Sequence, residues 1–140
     1  EDHLHSGWGL DGEQLHSATS PERWCVTFDD LRLLRAQIRR GVQEGHIGPT
    51  ERDLFELKDN KVGPNVYNVV ASYIKPLTLK AGKMSWALLR NPNGLDCQLF
   101  ITHAWCEGSY ELIDKVLTSW PCRAQAAWCC LLALPQNLVV

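Results

Sequence analysis

The stretch LFITHAWCEGSYELIDKV (residues 99–116) brings together residue types that can carry chemistry. An apolar run ends at His103, and Trp105, Cys106 and Glu107 follow closely. Imidazole and carboxylate groups serve as general acids or bases, thiolates serve as nucleophiles, and indole rings pack on flat apolar partners. This stretch is therefore the first place in the sequence to look for catalysis, metal binding or ligand binding.

Each of these side chains also has a structural role at the end of a strand. A histidine there commonly satisfies backbone groups, a tryptophan packs over the start of a helix, and a carboxylate is favoured by the helix dipole. Cys106 lies just before a predicted helix, where the pKa of a thiol tends to fall, but no third group orients a pair with His103. A zinc site would need two further ligands from elsewhere. We therefore predict no catalytic residue and no metal site, and we keep His103, Trp105 and Glu107 as candidate ligand-binding residues.

Two apolar runs flank a helical pattern in this part of the chain. Residues 97–102 and 126–132 each predict a buried strand. Between them, apolar residues recur at helical spacing from Gly108 to Trp120, and Pro121 ends the pattern. A strand, a helix and a strand in this order predict a βαβ unit with parallel strands and a right-handed crossover.

The carboxyl ends of the two predicted strands should form one edge of the sheet. Ligands of open parallel sheets bind outside that edge. The loop at residues 103–108 and the turn at residues 135–137 would then lie side by side. Gln136 and Asn137 therefore join the three candidates above in one predicted polar site, although both residue types also suit a turn without a ligand.

The part of the chain before residue 90 is predicted to be helical. Thr27 and Asp30 have the spacing of a capping box, an apolar stripe follows, and Gly45 suits a left-handed helix end. Thr50 and Asp53 repeat the capping-box spacing and predict a short helix. A further amphipathic helix should begin near Pro64 and kink or end near Ile74, ahead of Pro76.

These patterns divide the chain into three parts. Residues 1–22 show no sustained period and predict a loose N-terminal arm, and we predict no metal site at His3, His5 and His16. Residues 23–90 form the helical region, and the turn signal at residues 91–94 separates it from residues 91–140. The predicted class is α/β, with a helical N-terminal region followed by a βαβ unit.

Composition narrows the classes of partner. The 140 residues include 14 basic and 16 acidic side chains, a balance that gives no electrostatic case for binding nucleic acid. The longest apolar run, residues 126–135, has about half the length that a bilayer crossing needs, so we predict no membrane span. None of the six cysteines forms a C-x-x-C pair, and we predict reduced thiols in a soluble intracellular protein, in the cytoplasm.

The segment from Cys97 onward also resembles known proteins. CQLFITHAW is similar to the opening of TIR-like domains, whose first strand commonly reads F-[IV]-S-[HY]. Phe100, Ile101 and His103 match that pattern, and Thr102 stands where serine is usual. The segment is also similar to a group of uncharacterised algal and protist proteins with an F-[VI]-[ST]-H-x-W motif and a PQN-like turn after the second strand.

The resemblance implies the start of a flavodoxin-like parallel sheet and a partial TIR-like unit at residues 91–140. TIR-like domains are assembly modules, and some cleave NAD with a glutamate on a helix after a later strand. The resemblance places that glutamate beyond residue 140, and Glu107 lies in the wrong element to replace it. We expect a protein-interaction or signalling module, accessory to other protein subunits and non-catalytic, with no cofactor. The alternative is part of a TIR-like NAD-hydrolysing enzyme, in which His103 and Trp105 line the pocket of an NAD-type nucleotide.

Overall fold

A computed structural model describes residues 4–139 as short helices around two short strands. One π-helical turn, Val70–Ile74, joins two α-helical segments, so residues 66–81 form one continuous rod. The elements in chain order are α1 (Gly12–Ala18), a 3-10 helix (Pro21–Arg23), α2 (Phe28–Gln43), α3 (Val66–Val69), α4 (Lys75–Ala81), α5 (Trp86–Arg90), β1 (Leu99–Ile101), α6 (Ser109–Thr118), β2 (Ala127–Cys129) and α7 (Cys130–Ala133).

The two strands form a small parallel sheet, as predicted. Phe100 pairs with Trp128, and the residues on either side of Phe100 pair in the same register. Ala127 also exchanges two backbone hydrogen bonds with Val26, of 2.9 and 2.8 Å, on the other side of β2. Strand β2 therefore lies between β1 and the segment that leads into α2. The molecule is a mixed helical structure with a two-stranded parallel sheet.

The core lies where the sheet, the rod and helices α2 and α6 face one another. Its side chains come from every one of these elements and enclose a small apolar cavity of about 20 Å³. Helix α5 is almost entirely buried, since Trp86, Ala87, Leu88 and Leu89 are each 0% exposed. Burial of apolar area of this kind is the main favourable term in folding.

The second strand ends three residues earlier than the sequence predicts, at Cys129 instead of Leu132. Residues 130–132 are not strand but begin the helical turn α7, which buries Leu131 and Leu132. A short buried apolar run has no polar side to reveal its period, so a strand and a buried helical turn give the same pattern. The first strand is also shorter than predicted, and Cys97 is exposed outside it.

Helix α2 begins and ends where the sequence predicts. The hydroxyl of Thr27 accepts a hydrogen bond of 3.0 Å from the Asp30 amide, and the Asp30 carboxylate accepts one of 2.9 Å from the Thr27 amide. These two bonds are the predicted capping box. Gly45 has a φ of +83° just after the helix end, as a left-handed cap requires.

The short helix predicted near Thr50 is wrong. Thr50 and Asp53 close a turn through backbone hydrogen bonds of 2.9 and 3.0 Å. The carboxylate of Asp53 accepts instead from the Asn65 amide and the Asn68 side chain, both at 2.9 Å. A long-range partner has therefore taken the carboxylate that a capping box would use, and Leu54 is 81% exposed rather than packed.

Pro76 does not end its helix. The helical rod continues to Ala81, and the preceding turn widens so that the amide of Lys75 donates to the carbonyl of Val70. A π-helical turn contains one residue more than an α-helical turn, so the hydrogen bonds shift by one residue. This shift accommodates Pro76, which has no N–H group to donate. The sequence correctly predicts an irregularity near Ile74, but the irregularity is a π-helical turn and not the end of the helix.

The expected loose arm is instead hydrogen-bonded to the helical region over residues 4–22. The amides of Gly7, Gly9 and Gly12 donate to the carbonyls of Leu89, Ala81 and Gly82, each at 2.8 Å. These contacts use the backbone, so they leave no apolar period in the sequence. His3 lies outside the described residues. The division of the chain at residues 22 and 90 stays a prediction.

His16 fastens α1 to the same region. Its Nε2 atom accepts a hydrogen bond of 2.9 Å from the Ser85 amide, and its ring meets Trp24 edge-on at 4.3 Å. Burial lowers the pKa of His16 from 6.5 to about 4. The unfolded chain therefore binds more protons than the folded chain between these two pH values.

We expect the free energy of unfolding to fall as the pH is lowered from about 6.5 to about 4. A His16→Gln variant keeps a hydrogen-bond acceptor but carries no titrating ring, so its stability should lose this component of the pH dependence. Urea unfolding of both proteins at a series of pH values measures the difference. Parallel pH profiles for the two proteins would contradict this account of His16.

Candidate functional site

The loop after β1 is fastened to the start of the helical rod. The amide of Val66 donates to the carbonyl of Glu107 at 3.0 Å, and the amide of Tyr67 donates to the carbonyl of Trp105 at 3.2 Å. The first amides of a helix have no partner within it, so the loop supplies the acceptors that α3 lacks. The carboxyl end of β1 is thereby held against α3.

Three rings meet at this junction and form what we call the aromatic cluster: Tyr67, His103 and Trp105. The ring of Trp105 stacks on Tyr67 with centroids 5.1 Å apart and planes 25° apart. His103 meets Trp105 edge-on at 5.3 Å. Tyr67 is 61% exposed. The cluster therefore offers a partly exposed aromatic face beside the carboxyl end of β1.

Glu107 closes the loop instead of facing open solvent. Its carboxylate accepts a hydrogen bond of 3.3 Å from the Ala104 amide and lies 3.5 Å from the Lys115 ammonium. Lys115 also forms an ion pair with Glu111 at 3.1 Å. Both carboxylates raise the pKa of Lys115, and Glu111 has the larger effect. These contacts give Glu107 a structural role at the N-terminal end of α6.

Gln136 and Asn137 lie in a turn away from this loop, and Asn137 contacts the rod. The side-chain amide of Gln136 donates to the Leu134 carbonyl at 3.2 Å. The side-chain amide of Asn137 donates to the Thr78 hydroxyl at 3.0 Å and to the Lys75 carbonyl at 3.1 Å. Eight residues separate Lys75 from Tyr67, which is on the order of 12 Å along a helix.

The five predicted site residues thus fall into two groups. His103, Trp105 and Glu107 share one loop, whereas Gln136 and Asn137 share a turn that contacts the rod through Asn137, at Lys75 and Thr78. Helix α7 separates them, because it begins directly after β2 and carries the chain away from the strand end. The predicted parallel pairing was therefore insufficient to bring both loops together. That any of these residues binds a ligand stays a prediction.

Cys106 is exposed beside a surface cleft of about 330 Å³ that also contains Asp53 and Asp59. Hydrogen bonds from backbone amides lower the pKa of Asp59, and the largest effect comes from the Gly63 amide.

Within residues 4–139, no group of three or more His, Cys, Asp or Glu side chains is arranged to hold a metal ion.

A second surface, which the sequence interpretation missed, lies on the sheet itself. Phe100 is 69% exposed, and its ring stacks on Trp128 with centroids 5.1 Å apart and planes 6° apart. Ile101, the next residue, is buried. The strand was taken as buried on both faces, but its side chains alternate between core and solvent. We call Phe100 and Trp128 the sheet aromatic pair.

The comparisons with known proteins leave the family open. Neither a protein-family model, nor a curated protein, nor a solved structure shows significant similarity to this chain. In the described part of the chain, no helix combines the length and the apolar character that a membrane crossing requires.

Proposed function

We propose that this chain is a protein-interaction module of the signalling or accessory kind, which assembles through the free edge of β1. The observation that carries the proposal is the combination of an unpaired strand edge with the exposed Phe100 ring of the sheet aromatic pair. The resemblance to the start of a flavodoxin-like, TIR-like unit points in the same direction, since such domains are assembly modules. The strand edge supports the proposal independently of that resemblance.

The outer edge of β1 carries unused backbone groups. Within residues 4–139, β1 has β2 as its one neighbour in the sheet. The amide of Leu99 points toward β2, where it donates to the Ala126 carbonyl at 3.2 Å. Backbone groups alternate in direction along a strand, so the N–H and C=O groups of Phe100 point away from β2. An added strand would satisfy both groups.

Little in the sequence protects this edge from pairing. Natural edge strands commonly carry a lysine, a proline or a bulge that prevents association. Residues 97–102 contain neither a charged side chain nor a proline. The strand is only three residues long, so the hydrogen bonds alone give a weak contact, and the sheet aromatic pair supplies the apolar area.

A second copy of this chain is the partner that fits this edge. Two β1 edges related by a twofold axis can pair antiparallel, which continues the sheet and brings the two Phe100 rings together. Such a contact closes on itself and buries the same surface on both copies. We therefore expect reversible self-association of the protein.

Sedimentation velocity over a wide range of protein concentration tests this proposal. The wild-type protein should pass from monomer to dimer as its concentration rises. A Phe100→Lys variant should remain monomeric, because a charge at the centre of the edge disfavours pairing. Leu79→Lys is the matched control, since Leu79 is 53% exposed on α4, and it should associate like the wild type. A wild-type monomer at every concentration, or unchanged association of Phe100→Lys, would overturn the proposal.

A second candidate function has its own observation, the aromatic cluster. One face of Trp105 is covered by Tyr67, and Tyr67 is largely exposed, so a flat ring can stack on the tyrosine. We propose an NAD-type nucleotide as that ligand, as in the alternative of a TIR-like NAD-hydrolysing enzyme with its glutamate beyond residue 140. In this alternative, His103 and Trp105 form one wall of the pocket.

Calorimetric titration with NAD tests the second candidate. Loss of one stacking partner costs about 1–3 kcal/mol, so Tyr67→Ala should weaken the binding of NAD by about fivefold or more. Phe100→Ala is the matched control, because it removes an equally exposed aromatic ring outside the cluster. No heat of binding with the wild type, or equal affinity in the Tyr67→Ala variant, would exclude this function.

A further inference from the structure

Two cysteines that are distant in the sequence lie together at the start of the sheet. The segments that carry Cys25 and Cys97 are joined by a hydrogen bond of 3.0 Å from the Leu95 amide to the Arg23 carbonyl. An ion pair between Arg23 and Asp96 adds a second link. Each cysteine lies two residues after one end of that hydrogen bond, the two side chains interact, and both cysteines are free.

The two thiols differ in access to solvent. Cys25 is 0% exposed, and its thiol donates to the Glu22 carbonyl at 3.3 Å. Cys97 is exposed, and its thiol lies 3.1 Å from the Leu99 carbonyl. A dissolved oxidant therefore meets Cys97 first, and the buried Cys25 thiol lies on the neighbouring segment. This arrangement of an accessible and a resolving cysteine is typical of redox-responsive pairs.

We propose that Cys25 and Cys97 are a modification site, at which a peroxide converts the two thiols into a reversible intramolecular disulfide. This inference is independent of the proposed assembly function. The Leu95–Arg23 hydrogen bond and the Arg23–Asp96 ion pair hold the two segments side by side.

The chemistry balances with hydrogen peroxide as the oxidant. The Cys97 thiolate attacks one peroxide oxygen, the O–O bond breaks, and hydroxide leaves and takes up a proton to become water. The resulting sulfenic acid is then attacked by the Cys25 sulfur, which loses its proton, and the S–O bond breaks to release a second water. Two thiols lose two electrons in total, and one peroxide is reduced to two waters.

The order of the two steps follows from the environments of the thiols. Burial first, and the neighbouring Cys97 second, raise the pKa of Cys25 to about 12. A thiol that ionises so reluctantly is a poor first nucleophile toward peroxide. Cys25 is therefore the resolving partner, which reacts only after the sulfenic acid has formed beside it.

The bond would fasten the chain ahead of α2 to the chain ahead of β1. Cross-links that close long loops stabilise the folded state by restricting the unfolded chain. The oxidised protein should therefore unfold at a higher urea concentration than the reduced protein, and dithiothreitol should reverse the shift.

Mass spectrometry of the peroxide-treated, folded protein tests the proposal. After alkylation of the remaining thiols and proteolysis, the cross-linked peptide pair should contain Cys25 and Cys97. Cys122→Ser is the matched control, because Cys122 is also exposed, and it should form the same cross-link in the same yield. A Cys25→Ser variant should accumulate a sulfenic acid on Cys97 that a dimedone probe captures.

Two results would overturn the proposal. One is the absence of the Cys25–Cys97 peptide pair from the oxidised wild-type protein. The other is a yield no higher in the folded protein than in the urea-unfolded protein, since proximity in the fold would then contribute nothing. Both results come from chains that retain Cys25 and Cys97, so a folding defect in the Cys25→Ser variant would not obscure them.

Discussion

Replacing Asp30 with alanine is expected to lower the free energy of unfolding by about 3–4 kcal/mol. The carboxylate is buried and accepts hydrogen bonds from Thr27 at 2.9 Å, Arg90 at 2.9 Å and Asn91 at 2.8 Å. It thus links the cap of α2 to the end of α5. Its removal leaves the largely buried Arg90 guanidinium without its anion and the Asn91 amide without its strongest acceptor.

Asp29 provides the control for this prediction. It lies beside Asp30 in the first turn of α2, but its side chain is 88% exposed and its nearest cation, Arg32, is 3.8 Å away. Asp29→Ala should therefore cost at most about 1 kcal/mol, the usual value of a carboxylate near a helix N-terminus. Urea unfolding of both variants measures the difference. Equal losses in the two variants would mean that the buried contacts of Asp30 contribute no special stability.

Replacing Gly63 with alanine is expected to cost about 2–3 kcal/mol of the free energy of unfolding. Gly63 has a φ of +77°, and a Cβ atom at this position would lie 2.5 Å from the ring of Tyr110. Tyr110 is 1% exposed and has the Arg35 guanidinium over its ring at 4.5 Å, so the ring has little freedom to move. The Gly63 amide also donates to the Asp59 carboxylate at 2.8 Å, which fixes the backbone.

Gly45 separates the two causes of this loss. It has a similar φ of +83°, but a Cβ atom there would meet nothing within 4 Å. Gly45→Ala should therefore report the backbone strain alone, about 1 kcal/mol. The difference between the two glycine variants in urea unfolding is the steric cost at Tyr110. If both variants lost the same stability, the contact with Tyr110 would have no energetic consequence.

The features predicted correctly from the sequence are those that depend on near neighbours in the chain. The capping box of Thr27 and Asp30 and the left-handed Gly45 are set by local backbone geometry, so residue types at fixed spacing reveal them. The parallel pairing of β1 and β2 was also predicted correctly, because two strands joined by one helix almost always pair in parallel.

The features predicted wrongly depend on contacts between distant residues. The spacing of Thr50 and Asp53 suits a helix cap, but Asp53 binds Asn65 and Asn68 across the chain instead. The attachment of the N-terminal segment likewise depends on glycine amides and the ring of His16, which have no period in the sequence. A pattern in one sequence cannot show which distant group will compete for a side chain.

The candidate site was predicted only in part for the same reason. His103 and Trp105 meet because they share one loop, and Tyr67 joined them only through the folded contact between α3 and that loop. The exposure of Phe100 had a visible signal in the sequence, since the polar residues Gln98 and Thr102 lie two positions away on the same side of the strand. An apolar residue at an exposed edge position indicates an interaction surface more directly than the polar residues at the strand end do.

Hydrogen exchange at the Phe100 amide, measured by NMR at low and high protein concentration, tests the assembly proposal most directly. We expect the Phe100 amide to exchange fast in the monomer and to become protected as the protein associates. The Leu99 amide, which donates to Ala126, should remain equally protected at both concentrations. If the protein associates while exchange at Phe100 stays unchanged, the contact lies elsewhere and the free edge of β1 is not the docking element.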